Sequence, residues 1–229
     1  PLPPQNDLSL AGNILWMLHG QIPSEDHVHA MDVSLILYAE HEFNASTFTA
    51  RVVASTLSDL HSSITAAIGA LKGPLHGGAN ERVLDVLNEV GSPERAEAWV
   101  RNALAEKQRI MGFGHRVYKT GDPRAKYLKS LCGKLAVEPE QQQLEAMADI
   151  IEKIVVTEKG LPPNLDWATA RLYFYMGLPV QLYTPLFVVS RVVGWSAHVM
   201  EQLENNRIIR PRARYTGPTT REWVSIESR

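Results

Sequence analysis

The sequence has very little cysteine and no excess of charge of one sign. Cys132 is the only cysteine among 229 residues, which excludes an internal disulfide and a cysteine-rich zinc site and fits a reducing compartment such as the cytoplasm. The 23 lysines and arginines are nearly balanced by 25 acidic residues, so composition gives no support to a nucleic-acid-binding surface. Any binding of anions must therefore be local.

A long hydrophobic run is also missing. The most apolar segment, 185–195, is interrupted by Arg191 and is shorter than the ~18 to 20 residues of a membrane span, so no membrane attachment is expected. The chain begins Pro-Leu-Pro-Pro, without an initiator Met or a signal-peptide pattern, and we expect it to continue a longer product. With 45% hydrophobic residues it can still bury the core of one or two ordinary domains.

Apolar residues recur at helical spacing along most of the chain, and no convincing alternation with period two occurs. The series from 28 to 38 predicts one helix, and the series from 53 to 71 predicts a long one that ends at Gly73 and Pro74. Between glycine and proline breakers, further helices are predicted at 80–90, 93–106, 123–135, 139–159 and 184–204. The predicted fold class is all-α.

Three candidate catalytic groups stand beside helix breakers: His76 in Gly-Pro-Leu-His-Gly-Gly, His115 in Gly-Phe-Gly-His-Arg, and Asp166 in Pro-Pro-Asn-Leu-Asp. If Asn80 opens a helix, the positive end of its dipole keeps His76 a neutral donor that can polarise a carbonyl. Each group also has a plain structural interpretation. The histidines could be polar residues of helix connections, and Asp166 could be a helix N-cap.

Two further features suggest an anion site. Gly112 and Gly114 expose backbone amides beside His115, and Arg124 follows a capping Asp-Pro pair, so a ligand with carboxylates or phosphates would fit there. Arg191 lies within an apolar helix, where a buried guanidinium must find a partner unless it snorkels to the surface.

His41, in Glu-His-Glu-Phe-Asn, could belong to a ligand site or to a solvated helix end, and no metal is expected there. The nearby His27 and His29 would not share a helical face, so we interpret them as surface residues.

Together, these segments and the Arg-Pro-Arg-Ala-Arg-Tyr-Thr-Gly run at 210–217 resemble the citrate synthase family, most closely its bacterial and archaeal type. The resemblance extends from the first residues to that run. It implies a large helical domain at 1–77 and 178–229, with a small helical domain inserted at 78–177. The N-terminal part of the large domain would be missing, and closure of the two domains would form the site.

The resemblance implies a Claisen-type condensation of acetyl-CoA with oxaloacetate and water to citrate and CoA, the entry to the tricarboxylic acid cycle, without metal or cofactor. Asp166 would remove a proton from the thioester methyl group, His76 would stabilise the enolate oxygen, and His115 would polarise the ketone. The motifs leave open a 2-methylcitrate synthase that uses propionyl-CoA. A non-catalytic assembly fragment is the third alternative.

The resemblance also assigns two sets of binding residues. For oxaloacetate the set is His41, Arg124, Arg191 and Arg210. For CoA the set is the backbone of Gly112, Phe113 and Gly114, with Lys119 and Lys159. Arg210 would reach the active site of the neighbouring subunit, so the resemblance implies a homodimer.

If the family's N-terminal region is absent, as the resemblance implies, one structural consequence is expected. Apolar helix faces that carry Val53, Leu57, Leu60 and Ile64 should be left exposed, which predicts a partner segment or poor solubility.

Overall fold

A computed structural model describes residues 2–228, and within them the chain is helical, with one isolated bridge between Phe113 and Pro163 in place of any strand. The α-helices are α1 Leu10–His19, α2 Glu25–Ala39, α3 Ala45–Ser55, α4 Leu60–Leu71, α5 Ala79–Val90, α6 Pro93–Ala105, α7 Pro123–Leu135, α8 Pro139–Lys159, α9 Leu165–Tyr175 and α10 Tyr183–Glu204. The predicted all-α class is confirmed. None of the helices in 2–228 is long and apolar enough to cross a membrane.

The predicted single helix over 53–71 is wrong, because the chain forms two helices there. α3 ends at Ser55, whose hydroxyl donates to the carbonyl of Val52 at 2.7 Å, and Leu57 adopts a left-handed conformation with φ of 66°. A side chain with a Cβ disfavours that region, so helical propagation stops. Asp59 then accepts from the backbone N–H of Ser62 at 2.9 Å and caps the start of α4.

The two short helices pack along each other and leave an apolar surface in solvent. Leu57 is 74% exposed and Leu60 is 41% exposed, as the sequence predicted, while Val53 and Ile64 are partly buried. Leu57, Leu60, Phe48 and Ile68 are all large exposed apolar residues of this region, which we call the α3–α4 face.

The close approach of α10 to the end of α2 depends on Gly194. A Cβ at this position would lie 2.2 Å from the carbonyl oxygen of Ala39, so any other residue would push the helices apart. The contact brings Arg191, one turn earlier on α10, to the last turn of α2 beside Tyr38.

A second close contact positions the glycine loop between α6 and α7. Gly112 has a φ of 89°, and a Cβ on it would lie 2.8 Å from a ring carbon of Trp167 on α9. Trp167 is fully buried, and the absence of a side chain at Gly112 lets the loop pack directly against α9.

Candidate active site

A cavity of about 510 Å³ opens where α2, the turn before α5, the 112–118 loop, the start of α9 and α10 meet. Most of the predicted site residues line it. They are His41, His76, Gly112, Phe113, Gly114, His115, Arg124, Asp166 and Arg191. The cavity thus draws on all three of the segments 1–77, 78–177 and 178–229.

Asp166 lies in the first turn of α9, and its carboxylate faces the cavity. Of the two alternatives for Asp166, the N-cap is wrong, since Asn164 is the N-cap and accepts from the N–H of Asp166 at 3.0 Å. The hydroxyl of Tyr38 donates to Oδ1 of Asp166 at 2.7 Å. Burial raises the pKa of Asp166 to about 6, against the Tyr38 hydrogen bond and the charge of Arg124, which lower it. The carboxylate is therefore a base of moderate strength that is ionised at neutral pH.

His76 lies in the turn just ahead of α5, against the start of α3. Its Nε2 is 2.8 Å from the hydroxyl of Ser46 and accepts from the Ser46 backbone N–H at 3.4 Å. Because that N–H requires an acceptor, the ring proton belongs on Nδ1. Burial and the charge of Arg191 lower the pKa of His76 to about 4, so the imidazole is neutral, with burial as the first cause where the sequence had suggested the helix dipole.

His115 has the opposite tautomer. Its Nδ1 accepts from the backbone N–H groups of Val117 at 3.0 Å and Tyr118 at 3.2 Å, which leaves the proton on Nε2. Burial lowers the pKa of His115, with Arg124 acting in the same direction and Asp122 in the opposite one. The ring therefore offers a single neutral N–H donor.

His41 lies against His115, with ring centroids 5.2 Å apart. Its Nε2 is 3.1 Å from the hydroxyl of Tyr118. Burial and the charges of Arg124, His115 and Arg191 lower the pKa of His41 to about 4. A solvated helix end therefore does not describe His41, because its side chain lines the cavity beside His115.

Arg124 is the better neutralised of the two cavity arginines. Its Nε and Nη2 form a bidentate pair with the buried carboxylate of Asp122, at 3.0 and 2.8 Å, and its Nη1 donates to the carbonyl of Leu37 at 3.3 Å. A guanidinium has five N–H groups, so two of them remain for a ligand. Burial alone would lower the pKa of Arg124, but Asp122 raises it.

Arg191 is 2% exposed, which excludes snorkelling. Its Nε donates to the carbonyl of Tyr38 at 2.5 Å, and its guanidinium lies 4.8 Å from the ring centre of Phe187. Its Nη1 has no hydrogen-bond partner within residues 2–228. Burial and the neighbouring Arg124 lower the pKa of Arg191 to about 10. A buried cationic donor without an acceptor indicates an anionic ligand.

The 112–114 loop is tied to the segment that precedes α9. Gly114 N donates to Pro162 O at 2.8 Å, and Asn164 N donates to Gly112 O at 2.9 Å. The Asn164 side chain also donates to Gly114 O at 3.1 Å. The segment that carries His115 is therefore fixed to the helix that carries Asp166.

Three predicted residues lie outside the cavity. Lys119, Lys159 and Arg210 are exposed, and Arg210 donates to the carbonyl of the adjacent Pro211. No group of three or more His, Cys, Asp or Glu side chains that could hold a metal occurs in 2–228.

Sequence reasoning missed several residues of the site: Arg109 and Arg116 line the cavity, and Tyr38, Ser46 and Asn164 bond its candidate catalytic groups. The two arginines had a usable signal, because they flank the Gly-Phe-Gly-His motif. Tyr38, Ser46 and Asn164 gave no sequence signal that they bond the catalytic groups. Tyr38 is distant in sequence from Asp166, and Ser46 is distant from His76.

Comparison with known proteins identifies the same architecture elsewhere. The model of the citrate synthase C-terminal domain matches residues 1–212. Citrate synthase 2 of Bacillus subtilis is 54% identical over 229 residues, covering 100% of this chain and 62% of the relative. The 2-methylcitrate synthase of Shewanella oneidensis is 49% identical over 224 residues, covering 98% of this chain and 60% of the relative.

A solved structure agrees. The ternary complex of carboxymethyl coenzyme A and oxaloacetate with citrate synthase from Thermoplasma acidophilum superimposes with a TM-score of 0.93 at 43% identity, covering 100% of this chain and 62% of that one. The chain thus spans about 60% of the length of the curated relatives that it matches.

Proposed function

This chain belongs to the citrate synthase family, and on that premise we propose that it condenses acetyl-CoA with oxaloacetate and water to give citrate and CoA. The observation that carries the proposal is the convergence of Asp166, His76 and His115 on one cavity that also contains Arg124 and Arg191. This set provides a base, two neutral donors of defined tautomer and two cations for a dicarboxylate.

The first step is removal of a proton from the thioester methyl group. The Asp166 carboxylate, ionised at neutral pH, accepts this proton. The α-proton of a thioester is weakly acidic, so the developing oxyanion must be stabilised at the same time. The Nδ1–H of His76 donates to it, while Ser46 holds the other ring nitrogen.

The second step joins the two substrates. The Nε2–H of His115 polarises the ketone of oxaloacetate, and the nucleophilic carbon attacks the carbonyl carbon. The electron pair of the C=O bond passes to the ketone oxygen, which takes up the His115 proton to become the hydroxyl of citryl-CoA, and solvent reprotonates His115. Arg124 and Arg191 bind the carboxylates of oxaloacetate through their remaining N–H groups, and His41 donates beside them. Water then hydrolyses the citryl-CoA thioester and releases citrate and CoA, so no redox change occurs.

The CoA portion would lie along the 112–114 backbone, as the family resemblance implies. Arg109 and Arg116 are better placed than Lys119 and Lys159 to meet its phosphates, because both arginines line the cavity. The two lysines remain a prediction, with Lys119 the nearer, since its charge acts on His115.

We also propose a homodimer, formed through the α3–α4 face. Leu57 at 74% and Leu60 at 41% exposure leave an apolar surface that a second copy would cover. Arg210 would extend from the exposed tail into the neighbouring cavity, and its absence from the lining of its own chain's cavity supports this assignment.

We propose acetyl-CoA rather than propionyl-CoA as the thioester, while relatives of both kinds match at comparable identity, 54% for a citrate synthase and 49% for a 2-methylcitrate synthase. The margin is small, and one methylene is worth only ~1 to 3 kcal/mol of discrimination in a pocket. Steady-state release of free CoA with each thioester, in the presence of oxaloacetate, decides between them. A clear preference for propionyl-CoA would make the chain a 2-methylcitrate synthase.

The same assay tests catalysis itself. Asp166→Ala should lower kcat by roughly 10² to 10⁴-fold, the usual contribution of a positioned general base. Asp85→Ala is the matched control, since this carboxylate lies on the exposed face of α5 and pairs with Arg82 at 3.1 Å. Equal rates in the parent and the Asp166 variant would remove this residue from the mechanism. No CoA release from the parent would favour the non-catalytic fragment.

A further inference from the structure

Tyr38 lies at the junction of α2, α9 and α10, where both its backbone carbonyl and its side-chain hydroxyl form hydrogen bonds. Its carbonyl accepts from Nε of Arg191 at 2.5 Å, and its hydroxyl donates to Oδ1 of Asp166 at 2.7 Å. Its ring packs edge-on against Phe187, with centroids 4.2 Å apart, and the residue is 1% exposed. One residue thus connects the candidate anion-binding arginine, through its backbone carbonyl, to the candidate base, through its side-chain hydroxyl.

We propose that Tyr38 is a positioning residue that fixes the Asp166 carboxylate for proton abstraction, through the hydrogen bond from its hydroxyl to Oδ1. The inference rests on the proposed function, in which Asp166 is the base. With Oδ1 held, Oδ2 is the oxygen that takes the proton. Within residues 2–228, Tyr38 provides the side-chain hydrogen bond to this carboxylate.

The direction of this hydrogen bond follows from the two ionisation equilibria. Burial and the charge of Asp166 raise the pKa of Tyr38 well above its ordinary value, so the phenol keeps its proton and donates. The carboxylate accepts, and an O–H donor to an ionised oxygen is a strong, charge-assisted contact. Its short length of 2.7 Å agrees with this assignment.

Other charged groups face Asp166 and must stay constant in a test. Arg191 on α10 and Arg124 on α7 lower its pKa, and Asp122 at the start of α7 raises it. Tyr173 on α9 is also close enough to feel its charge, and His76 ahead of α5 lines the same cavity. Replacement of Tyr38 by phenylalanine leaves all of these groups in place.

Loss of the Tyr38 hydroxyl should change the pKa of Asp166 in a defined direction. The hydrogen bond stabilises the charged carboxylate, so its removal raises the pKa of Asp166 above the present value of about 6. A net contribution typical of a hydrogen bond to a charged group corresponds to an upward change of about one pH unit. The acid limb of the kcat/KM profile moves up by the same amount, because the base must be ionised to act.

The direct test follows the Asp166 carboxyl by NMR titration of the full chain labelled with ¹³C-aspartate, with Asp166→Asn to assign the resonance. Tyr38→Phe should raise the titration midpoint by about one pH unit. Tyr173→Phe is the matched control: it removes the hydroxyl of a neighbouring buried tyrosine that contacts Ser34 at 3.4 Å and should leave the midpoint unchanged.

Incorporation of fluorotyrosine at position 38 gives a graded readout that does not depend on the folding of the phenylalanine variant. A more acidic phenol is a stronger donor, so the Asp166 midpoint should fall with increasing fluorination. An unchanged midpoint in Tyr38→Phe, an equal change in Tyr173→Phe, or no trend with fluorination would overturn the proposal. Since the titration needs no turnover, an inactive parent would count against the proposed function alone.

Discussion

Arg191→Met should weaken the stabilisation of the protein by oxaloacetate while leaving the free protein about as stable as the parent. The reason is the unusual state of this arginine, which is 2% exposed and has an Nη1 without a partner in 2–228. A buried charge that awaits a ligand destabilises the free protein, so removal of the charge offsets the contacts that are lost with it.

The magnitude follows from the pKa of Arg191, which is lowered well below its ordinary value to about 10. At about 1.4 kcal/mol for each pH unit, the charged form is disfavoured in the folded state by roughly 3 kcal/mol. A cationic group with a lowered pKa carries this cost at every pH below its folded value, which includes neutral pH. The hydrogen bond to Tyr38 and the contact with Phe187 contribute about 2 to 3 kcal/mol in the opposite direction. The two effects nearly cancel.

Arg171→Met is the matched control, because Arg171 is a second fully buried arginine that has its partners. Its Nε lies 2.5 Å from Oε1 of Glu145, and its Nη1 donates to the carbonyl of Trp167 at 2.6 Å. Removal leaves Glu145 without its partner cation, so this variant should lose about 3 to 5 kcal/mol of stability.

Urea unfolding with and without oxaloacetate, at fixed protein concentration, measures both effects. At 100 times its Kd, oxaloacetate should stabilise the parent by about 2.7 kcal/mol. In Arg191→Met a loss of tenfold or more in affinity should reduce this gain to roughly 1.4 kcal/mol or less at the same ligand concentration. The reasoning fails if the free variant is as unstable as Arg171→Met, or if oxaloacetate stabilises it as well as it stabilises the parent.

Two further predictions concern the dimer. Mixed dimers of Arg191→Ala and Arg210→Ala should recover up to about half of the parental activity, because one of their two composite sites is intact; verified heterodimers without activity would contradict a shared site. Leu57→Lys combined with Leu60→Lys should shift the sedimentation velocity towards the monomer. Val137→Lys, which replaces a residue that is 68% exposed away from this face, should not.

The sequence was most informative where a polar residue interrupts a strong local pattern. Glycines and prolines beside His76, His115 and Asp166 mark the turns, and these turns meet at the cavity. The apolar helix around Arg191 likewise indicated a buried charge, and the orphaned Nη1 bears this out.

The remaining details depend on contacts that a local pattern does not encode. The break between α3 and α4 occurs at Leu57, a residue with good helix propensity, because the serine, threonine and aspartate around it bond the backbone. Similarly, both Asn164 and Asp166 have cap-forming side chains, and the bond from the backbone N–H of Asp166 to the side chain of Asn164 identifies Asn164 as the cap.

The electrostatics of the cavity links substrate binding to the protonation of its histidines. Arg191 and Arg124 are the cations available for carboxylates, and their charges also help to keep His76 and His41 neutral. Neutral imidazoles can donate from one defined nitrogen, which an imidazolium would not do selectively. Since bound carboxylates would offset these charges, burial, the first cause of both lowered pKa values, must keep the histidines neutral once the substrate is in place. Enclosure of the site is therefore as necessary to the chemistry as the groups themselves.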